Sequence, residues 1–101
     1  MDKATPDQGT GDPKTNIGLL RQAIDEIDDK IMALINQRLS LAKQVGDFKK
    51  QEDIRITDSD RENEIMNCLL EKNNGPLSDS GLRSIFEAII AEGRNVQRSS
   101  F

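Results

Sequence analysis

The feature that most constrains the fold is a long stripe of apolar residues in the first half of the chain. Its members recur at steps of three and four, apart from one gap of seven, and they are Ile17, Leu20, Ile24, Ile27, Ile31, Leu34, Leu41, Val45 and Phe48. This spacing marks one face of an α-helix, and its length is typical of a helix that packs along an extended partner surface. No proline lies between Lys14 and Gly75 to interrupt it. The pattern predicts one helix from about Ile17 to Lys50.

Two shorter helices are predicted in the second half of the chain. The first begins with a capping box, Ser59 to Glu62, in which each side chain would bond to the other residue's backbone N–H. The run at 73–76, Asn-Asn-Gly-Pro, ends it, because glycine favours a helix cap and proline cannot continue a helix. The second begins near Ser78. The apolar stripe of the first comprises Ile65, Met66, Leu69 and Leu70. The stripe of the second comprises Leu82, Ile85, Phe86, Ile89, Ile90, Gly93 and Val96. The sequence therefore predicts an all-α fold of three helices: long, short and medium.

The N-terminal segment differs in composition from the rest. Residues 1–16 contain two prolines and two glycines and almost nothing apolar, so we expect a disordered leader before one helical domain at 17–101. The segment lacks the apolar stretch of a secretory signal, and no apolar run approaches the roughly 18 residues of a membrane span. Cys68 is the single cysteine and cannot form an intramolecular disulfide. We therefore expect a cytoplasmic protein with no membrane partner.

Composition also excludes several kinds of chemistry. The 101 residues include no His, Trp or Tyr and three Phe, and 14 Lys and Arg against 18 Asp and Glu give a formal net charge of −4. Without His, the usual general base, the Ser-His and Cys-His pairs and most zinc sites are missing. An acidic chain with few aromatic residues is also poorly suited to nucleic acid, since phosphate contact requires cations and single strands require stacking. Any chemistry must therefore depend on Arg, Lys, carboxylates and amides.

Polar side chains occupy positions where the three stripes predict apolar ones. Arg38 lies four residues after Leu34, and burying such a cation costs several kcal/mol unless an anion meets it. Lys49 follows 11 residues later on the same face, about 16 Å along the helix, so the two cations could hold a small dianion. Arg61 precedes the second stripe and Gln97 extends the third. These positions are the candidate functional residues.

Each candidate also has a structural explanation. Arg38 could set the register of a buried ion pair or extend its guanidinium to solvent, and Lys49 could be a solvated lysine at the negative end of the helix dipole. Asp58 and Glu62 could serve as turn or cap residues. Gln97 could lie in a frayed terminal turn. The residues alone leave both explanations open.

Two further residues of the long helix are informative. Arg21 lies about 25 Å before Arg38 and about 42 Å before Lys49 along an ideal helix. It could therefore serve a site between them only in a neighbouring subunit of an antiparallel dimer, and otherwise it would pair with Asp25 as an ordinary helix residue. Gly46 inside the helix costs about 1 kcal/mol relative to Ala, which suggests a close approach of backbone or ligand.

Taken together, these motifs resemble the all-helical class of chorismate mutases over residues 17–98. The residues that carry the resemblance are Leu20-Arg21, Ile24, Ile27-Asp28, Ile31, Arg38, Val45-Gly46, Lys49, Asp58-x-x-Arg61-Glu62, Asn74-Gly75-Pro76-Leu77, Ile85-Phe86, Ile89-Ile90 and Gln97. The resemblance implies an intertwined homodimer of three-helix protomers with two active sites. It also implies a concerted pericyclic rearrangement of chorismate to prephenate in phenylalanine and tyrosine biosynthesis, without cofactor, metal or covalent intermediate.

The resemblance further implies roles at the two ends of the substrate. Arg38 and the partner subunit's Arg21 would bind the two substrate carboxylates. Lys49 and Gln97 would donate hydrogen bonds to the ether oxygen, which gains negative charge as the C–O bond breaks.

The remaining family roles concern the ring of the substrate. Glu62, with the backbone near Asp58, would hold the ring hydroxyl, and Arg61 would support a carboxylate and order the site. Gly93 stands at a substrate-binding position that is often Ser in the family, which removes a hydroxyl contact.

Two other functions remain open from the sequence. An isochorismate-pyruvate lyase would have a similar fold and cationic site, although Glu62 suits the ring hydroxyl of chorismate. A non-catalytic helical dimerisation or regulatory module would have little reason to place Arg38, Arg61 and Gln97 in its apolar stripes. Because the chain begins at Met1 and ends soon after the third helix, we expect it to work alone and not beside a dehydratase, dehydrogenase or synthase.

Overall fold

The computed structural model describes residues 12–99, which form three α-helices. Helix α1 runs from Pro13 to Gln51, α2 from Ser59 to Lys72 and α3 from Asp79 to Arg98. These residues contain no strand, so the predicted all-α order of long, short and medium helices is confirmed. Residues 1–11, most of the predicted leader, lie outside the described range. No helix within that range is long and apolar enough to cross a membrane.

Helix α1 begins four residues earlier than its apolar stripe. The carboxylate of Asp12 accepts hydrogen bonds from the backbone N–H of Lys14, at 3.1 Å, and from Oγ1 of Thr15, at 2.9 Å. Pro13 occupies the first helical position, where its missing N–H costs nothing. The predicted start at Ile17 was therefore wrong, and residues 13–16, assigned to the leader, are helical. Apolar periodicity locates the part of a helix that packs and gives no information about where its polar cap lies.

The start of α2 is also capped differently from the prediction. Asp58 is the N-cap, and its Oδ1 accepts a hydrogen bond of 3.0 Å from the backbone N–H of Arg61. The predicted capping box from Ser59 to Glu62 was therefore wrong by one residue. Because Asp58 satisfies the helix N-terminus, the Glu62 carboxylate is free to bond elsewhere.

Helix α3 begins where the sequence predicted. Ser78 is its N-cap, and its Oγ accepts a hydrogen bond of 3.0 Å from the backbone N–H of Gly81. The turn before it is held by Asn73, whose Oδ1 accepts from the N–H of Gly75 and whose Nδ2 donates to the carbonyl of Leu77. Gly75 has a φ of +68°, a conformation in which glycine lacks the steric cost of other residues.

The chain divides into two compact units, Met1–Asn36 and Gln37–Phe101, called here the first and the second unit. In the second unit α2 packs against α3 around a small core of Met66, Leu82 and Ile90. Four more members of the predicted stripes pack on this core, namely Ile65, Leu69, Leu70 and Phe86. Ile85, which was assigned to the apolar stripe of α3, is instead exposed.

The apolar stripe of α1 is uncovered in the single chain. Its nine members have exposed fractions between 46%, at Ile17 and Leu20, and 66%, at Phe48. A stripe of this length is characteristic of a helix that is buried against another element. No described part of the chain buries it.

Candidate active site

A cavity of about 270 Å³ lies within the second unit. Its wall is formed by α1, α2, α3 and the segment between α1 and α2. Six of the predicted site residues line it together, namely Arg38, Lys49, Asp58, Arg61, Glu62 and Gln97. Arg94 and apolar side chains such as Leu41, Val45 and Ile90 form the rest of the lining. The structure thus brings into one cavity residues that are up to 59 positions apart in sequence.

Helix α1 contributes two half-buried cations to this cavity, Arg38 and Lys49. The Nζ atom of Lys49 donates a hydrogen bond of 3.0 Å to the carbonyl oxygen of Ile56. An ammonium group has three N–H donors, so this bond fixes the direction of the side chain and leaves two donors for a ligand. The connection between α1 and α2 therefore orients the lysine.

Arg38 lies against α3 at a glycine. A Cβ atom built on Gly93 would be 3.6 Å from Nη1 of Arg38 and 3.8 Å from Cβ of Ala42, which is ordinary contact distance. Gly93 is buried and is not part of the cavity wall, although it was predicted as a substrate-binding residue. Its place in the structure is beside the arginine, where an added Cβ would touch the guanidinium without displacing it.

Gly46 marks a close approach of α1 to α3. A Cβ atom built on Gly46 would lie 2.8 Å from Cβ and 2.9 Å from Cα of Gln97, closer than two such atoms can pack. The expected close approach of backbone at this glycine is therefore confirmed. Because Gly46 has no side chain, Gln97 of α3 can lie directly against it. Gln97 lies in the last turn of α3, which ends at Arg98, and the backbone of this turn packs on Gly46.

The side chain of Gln97 ends in a buried polar atom. Its Oε1 is buried and has no hydrogen-bond partner among the described residues. Leaving such an atom unpaired costs about 1–3 kcal/mol, so the position favours a polar ligand. A half turn about the last side-chain bond exchanges Oε1 with the Nε2 donor, which allows the amide to donate as well as to accept.

Helix α2 contributes three polar residues with distinct partners. Asp58 caps the helix, while Arg61 forms an ion pair with Glu64 on the surface, where their side chains are 63% and 62% exposed. Glu62 instead pairs with Arg94 of α3, with 2.7 Å between Oε2 and Nη1. The Glu62 and Arg94 side chains are only 27% and 29% exposed.

Arg94 is the cavity residue that the sequence reasoning missed. It lies four residues after Ile90 and three before Gln97, so it belongs to the same face of α3. The rule that singled out Arg38 and Gln97, a polar residue within an apolar stripe, applies to this position too and could have found it.

Arg21 stands apart from these residues. It belongs to the first unit, and every residue of the cavity wall belongs to the second. Its assignment to the site of a partner subunit stays a prediction. Within residues 12–99 there is no group of three or more Cys, Asp or Glu side chains that could hold a metal ion.

The charge of the cavity differs from that of the whole chain. Four cationic side chains line it, Arg38, Lys49, Arg61 and Arg94, against the two carboxylates of Asp58 and Glu62. Both carboxylates already accept hydrogen bonds from the protein. A local excess of cations sets the field inside a cleft even when the total charge is −4. Fold and cavity together define an all-helical protein whose cavity carries an excess of cationic side chains.

Comparison with known proteins identifies the particular family. The family model described as "Chorismate mutase type II" matches residues 20–98. The chain belongs to this family, which confirms the resemblance found in the sequence and the chorismate mutase function that the family name carries.

Three curated relatives agree with this assignment. A chorismate mutase of Methanocaldococcus jannaschii is 38% identical over 81 residues, which are 78% of this chain and 81% of the relative. The bifunctional chorismate mutase/prephenate dehydratases of Aquifex aeolicus and Neisseria gonorrhoeae are 36% and 31% identical over 71% and 77% of this chain. The matched part spans 21% of the length of each bifunctional protein.

Proposed function

We propose that this protein rearranges chorismate to prephenate and that the cavity of the second unit binds the substrate. The observation that carries the proposal is the meeting of Lys49, Gln97 and Arg38 at one cavity, whose wall combines apolar side chains with further charged ones. Family membership and the Methanocaldococcus jannaschii relative support the same reaction.

The reaction suits the chemistry available to the chain. A pericyclic rearrangement transfers no proton to the enzyme and forms no covalent intermediate, so a protein without His can catalyse it. It requires a dianion held in a compact conformation and hydrogen-bond donors directed at the ether oxygen. A millionfold acceleration corresponds to about 8 kcal/mol, which orientation and a few fixed donors can supply.

In this proposal Lys49 and Gln97 act on the ether oxygen. The carbonyl of Ile56 already fixes the direction of the lysine side chain, so its two remaining donors need little reorganisation when charge develops. The amide of Gln97 is held from the opposite helix by the packing of its backbone on Gly46. Arg38, half-buried beside them, binds a substrate carboxylate.

The α2 residues bind the ring and the second charge. Glu62 accepts a hydrogen bond from the ring hydroxyl, next to the backbone at Asp58. Arg61 supports a substrate carboxylate by leaving Glu64, and this exchange costs little because an exposed ion pair contributes only about 0–1 kcal/mol.

We also propose that the active form is an intertwined homodimer. The uncovered stripe of α1 supports a second copy as the covering surface, since monomeric proteins rarely expose contiguous apolar patches above a few hundred Å². In an antiparallel pair the partner subunit's Arg21 would complete the substrate site, as the resemblance implies. The single exposed thiol, Cys68, is compatible with the cytoplasm as the proposed compartment.

The reaction is tested by incubating the purified protein separately with chorismate and isochorismate. We expect the ultraviolet absorbance of chorismate to disappear with formation of prephenate. Release of pyruvate from isochorismate alone would assign a lyase instead. If neither compound is consumed, the proposal is wrong and a non-catalytic helical module becomes the better interpretation.

A further inference from the structure

We propose that Arg94 is a positioning residue that holds the Glu62 carboxylate in the orientation that meets the substrate's ring hydroxyl. The inference rests on the proposed function, because it assigns a purpose to a side chain whose partner is in the substrate site. Neither the sequence motifs nor the family resemblance assigned a role to this arginine.

The first supporting observation is the geometry of the pair. Nη1 of Arg94 and Oε2 of Glu62 are 2.7 Å apart, at the short end of the range for a charge-assisted hydrogen bond. The bond joins α3 to α2 across 32 positions of sequence. It engages one carboxylate oxygen, so the other, Oε1, can accept a hydrogen bond from a substrate hydroxyl.

The second observation is that this pair is shielded from solvent. Its side chains are 29% and 27% exposed, compared with 63% and 62% for the Arg61–Glu64 pair on the same helix α2. Water and salt screen the exposed pair, while the shielded pair keeps more of its attraction and more of its fixed orientation. Glu62 is therefore held more firmly than a surface carboxylate.

The third observation explains why the carboxylate needs to be held. Glu62 and Arg94 line both the substrate cavity and a second cavity of about 370 Å³ between α2 and α3. Besides the carboxylate of Glu87, the second cavity carries two groups that can donate hydrogen bonds to Glu62, the guanidinium of Arg83 and the amide of Asn63. Without Arg94, the Glu62 carboxylate would have alternative partners on that side, and rotation toward them would remove it from the substrate.

The test combines single and double variants with a matched control. Arg94→Met removes the cation but keeps an apolar stem, Arg94→Lys keeps a donor, and Glu62→Ala removes the carboxylate. Arg83→Met is the control, because it makes the same change on the same helix outside the substrate cavity. Turnover of chorismate is measured for each variant and for Glu62→Ala/Arg94→Met, together with circular dichroism and thermal unfolding.

We expect Arg94→Met to lower kcat/KM by roughly tenfold or more, since a misplaced binding group can cost up to about a hundredfold. Arg94→Lys should recover most of that loss, and Arg83→Met should match the unsubstituted protein. In the Glu62→Ala background, Arg94→Met should cost no more than about a further twofold, because a residue that acts through another has no effect once that residue is gone.

Two results would overturn the role of Arg94. One is an Arg94→Met variant within about twofold of the unsubstituted protein. The other is an equal loss in the Glu62→Ala background, which would mean that Arg94 acts on the substrate directly. If Arg94→Met does not fold, Arg94→Gln with and without Glu62→Ala gives the same comparison, because the neutral amide loses the charge attraction and still leaves the Glu62 carboxylate a hydrogen-bond partner. An unsubstituted protein that leaves chorismate intact would overturn the proposed function itself.

Discussion

At Gln97 the backbone and the side chain are held by different interactions. The backbone of α3 is fixed where it touches Gly46, while the amide carries a buried oxygen that no described residue satisfies. An unsatisfied buried acceptor lowers the stability of the free protein by about 1–3 kcal/mol, and a bound ligand with a matching polar group removes that cost. The Gln97 side chain therefore favours ligand binding at the expense of the stability of the free protein.

Replacement of Gln97 by Glu should make activity depend on acid. The amide is un-ionised and donates at any pH, whereas a carboxyl group at the same place donates only when protonated. We expect Gln97→Glu to be active at low pH and to lose activity as pH rises through the pKa of the new carboxyl group. The pH profile of kcat/KM, measured beside that of the unsubstituted protein, checks this. Superimposable profiles would remove Gln97 from the reaction.

Lys49→Ala should fold normally and lose most of kcat. The ammonium is proposed to stabilise charge that develops only in the transition state, and removal of one such donor typically costs about a hundredfold to a thousandfold. Lys43→Ala is the matched control, because Lys43 is an exposed lysine of the same helix that does not line the cavity. Retention of kcat within a few-fold in Lys49→Ala, with Lys43→Ala unchanged, would contradict the proposed role.

At the level of helices, the sequence predicted most of the faces that pack and the start of α3, but it misplaced the starts of α1 and α2 and missed the polar contact between α2 and α3. The stripes of α2 and α3 identified Met66, Leu82 and Ile90, because apolar burial follows helical periodicity. The starts of α1 and α2 depend on single carboxylates, Asp12 and Asp58, and at α2 the neighbouring Ser59 offered a second capping side chain. Local sequence patterns do not decide between such alternatives, since the choice depends on how the chain enters the helix.

The same limit applies to the candidate site. Arg38, Lys49 and Gln97 were identified because each interrupts or extends an apolar stripe along one helix. The pairing of Glu62 with Arg94 joins two helices, and no periodicity within either helix encodes it. A one-dimensional pattern therefore predicted the residues of the cavity better than it predicted their partners.

Gly46→Ala tests the contact between α1 and α3. The added Cβ would lie 2.8 Å from two side-chain atoms of Gln97 and 2.9 Å from its Cα, so the helices must separate. We expect a loss of about 1–3 kcal/mol in the free energy of unfolding, with lower kcat, since Gln97 moves with its backbone.

The control for this change is Gly18→Ala in the same helix. A Cβ on Gly18 would have nothing within 4 Å, so the higher helix propensity of Ala should leave stability unchanged or raise it by up to about 1 kcal/mol. Denaturant titration gives both free energies. Equal stability changes at the two glycines would show that helix propensity, and not the helix contact, determines the result.

At the scale of the whole molecule, a net charge of −4 is compatible with an anionic substrate because the charges are distributed unevenly. Cations predominate at the cavity, while many of the acidic residues lie outside its wall. The apolar residues are also distributed unevenly. Among the described residues, three form the buried core, whereas nine lie along the uncovered stripe of α1. More apolar side chains are therefore available for association than are buried in the chain itself.

Complementation between two inactive variants tests both the dimer and the place of Arg21. The variants Arg21→Ala and Lys49→Ala are each expected to have little activity. Light scattering should give each variant about twice the mass of the 11.3 kDa chain, as expected for a dimer. If Arg21 serves the partner's site, a mixed dimer contains one site with both residues intact. Unfolding the two variants together and refolding them at equal concentrations makes about half of the dimers mixed, so about a quarter of the unsubstituted activity should return.

If Arg21 acted within its own subunit, every site of the mixed dimer would carry one defect and no activity would return. Refolding each variant alone is the control, and a monomeric mass would contradict the dimer whatever the activity.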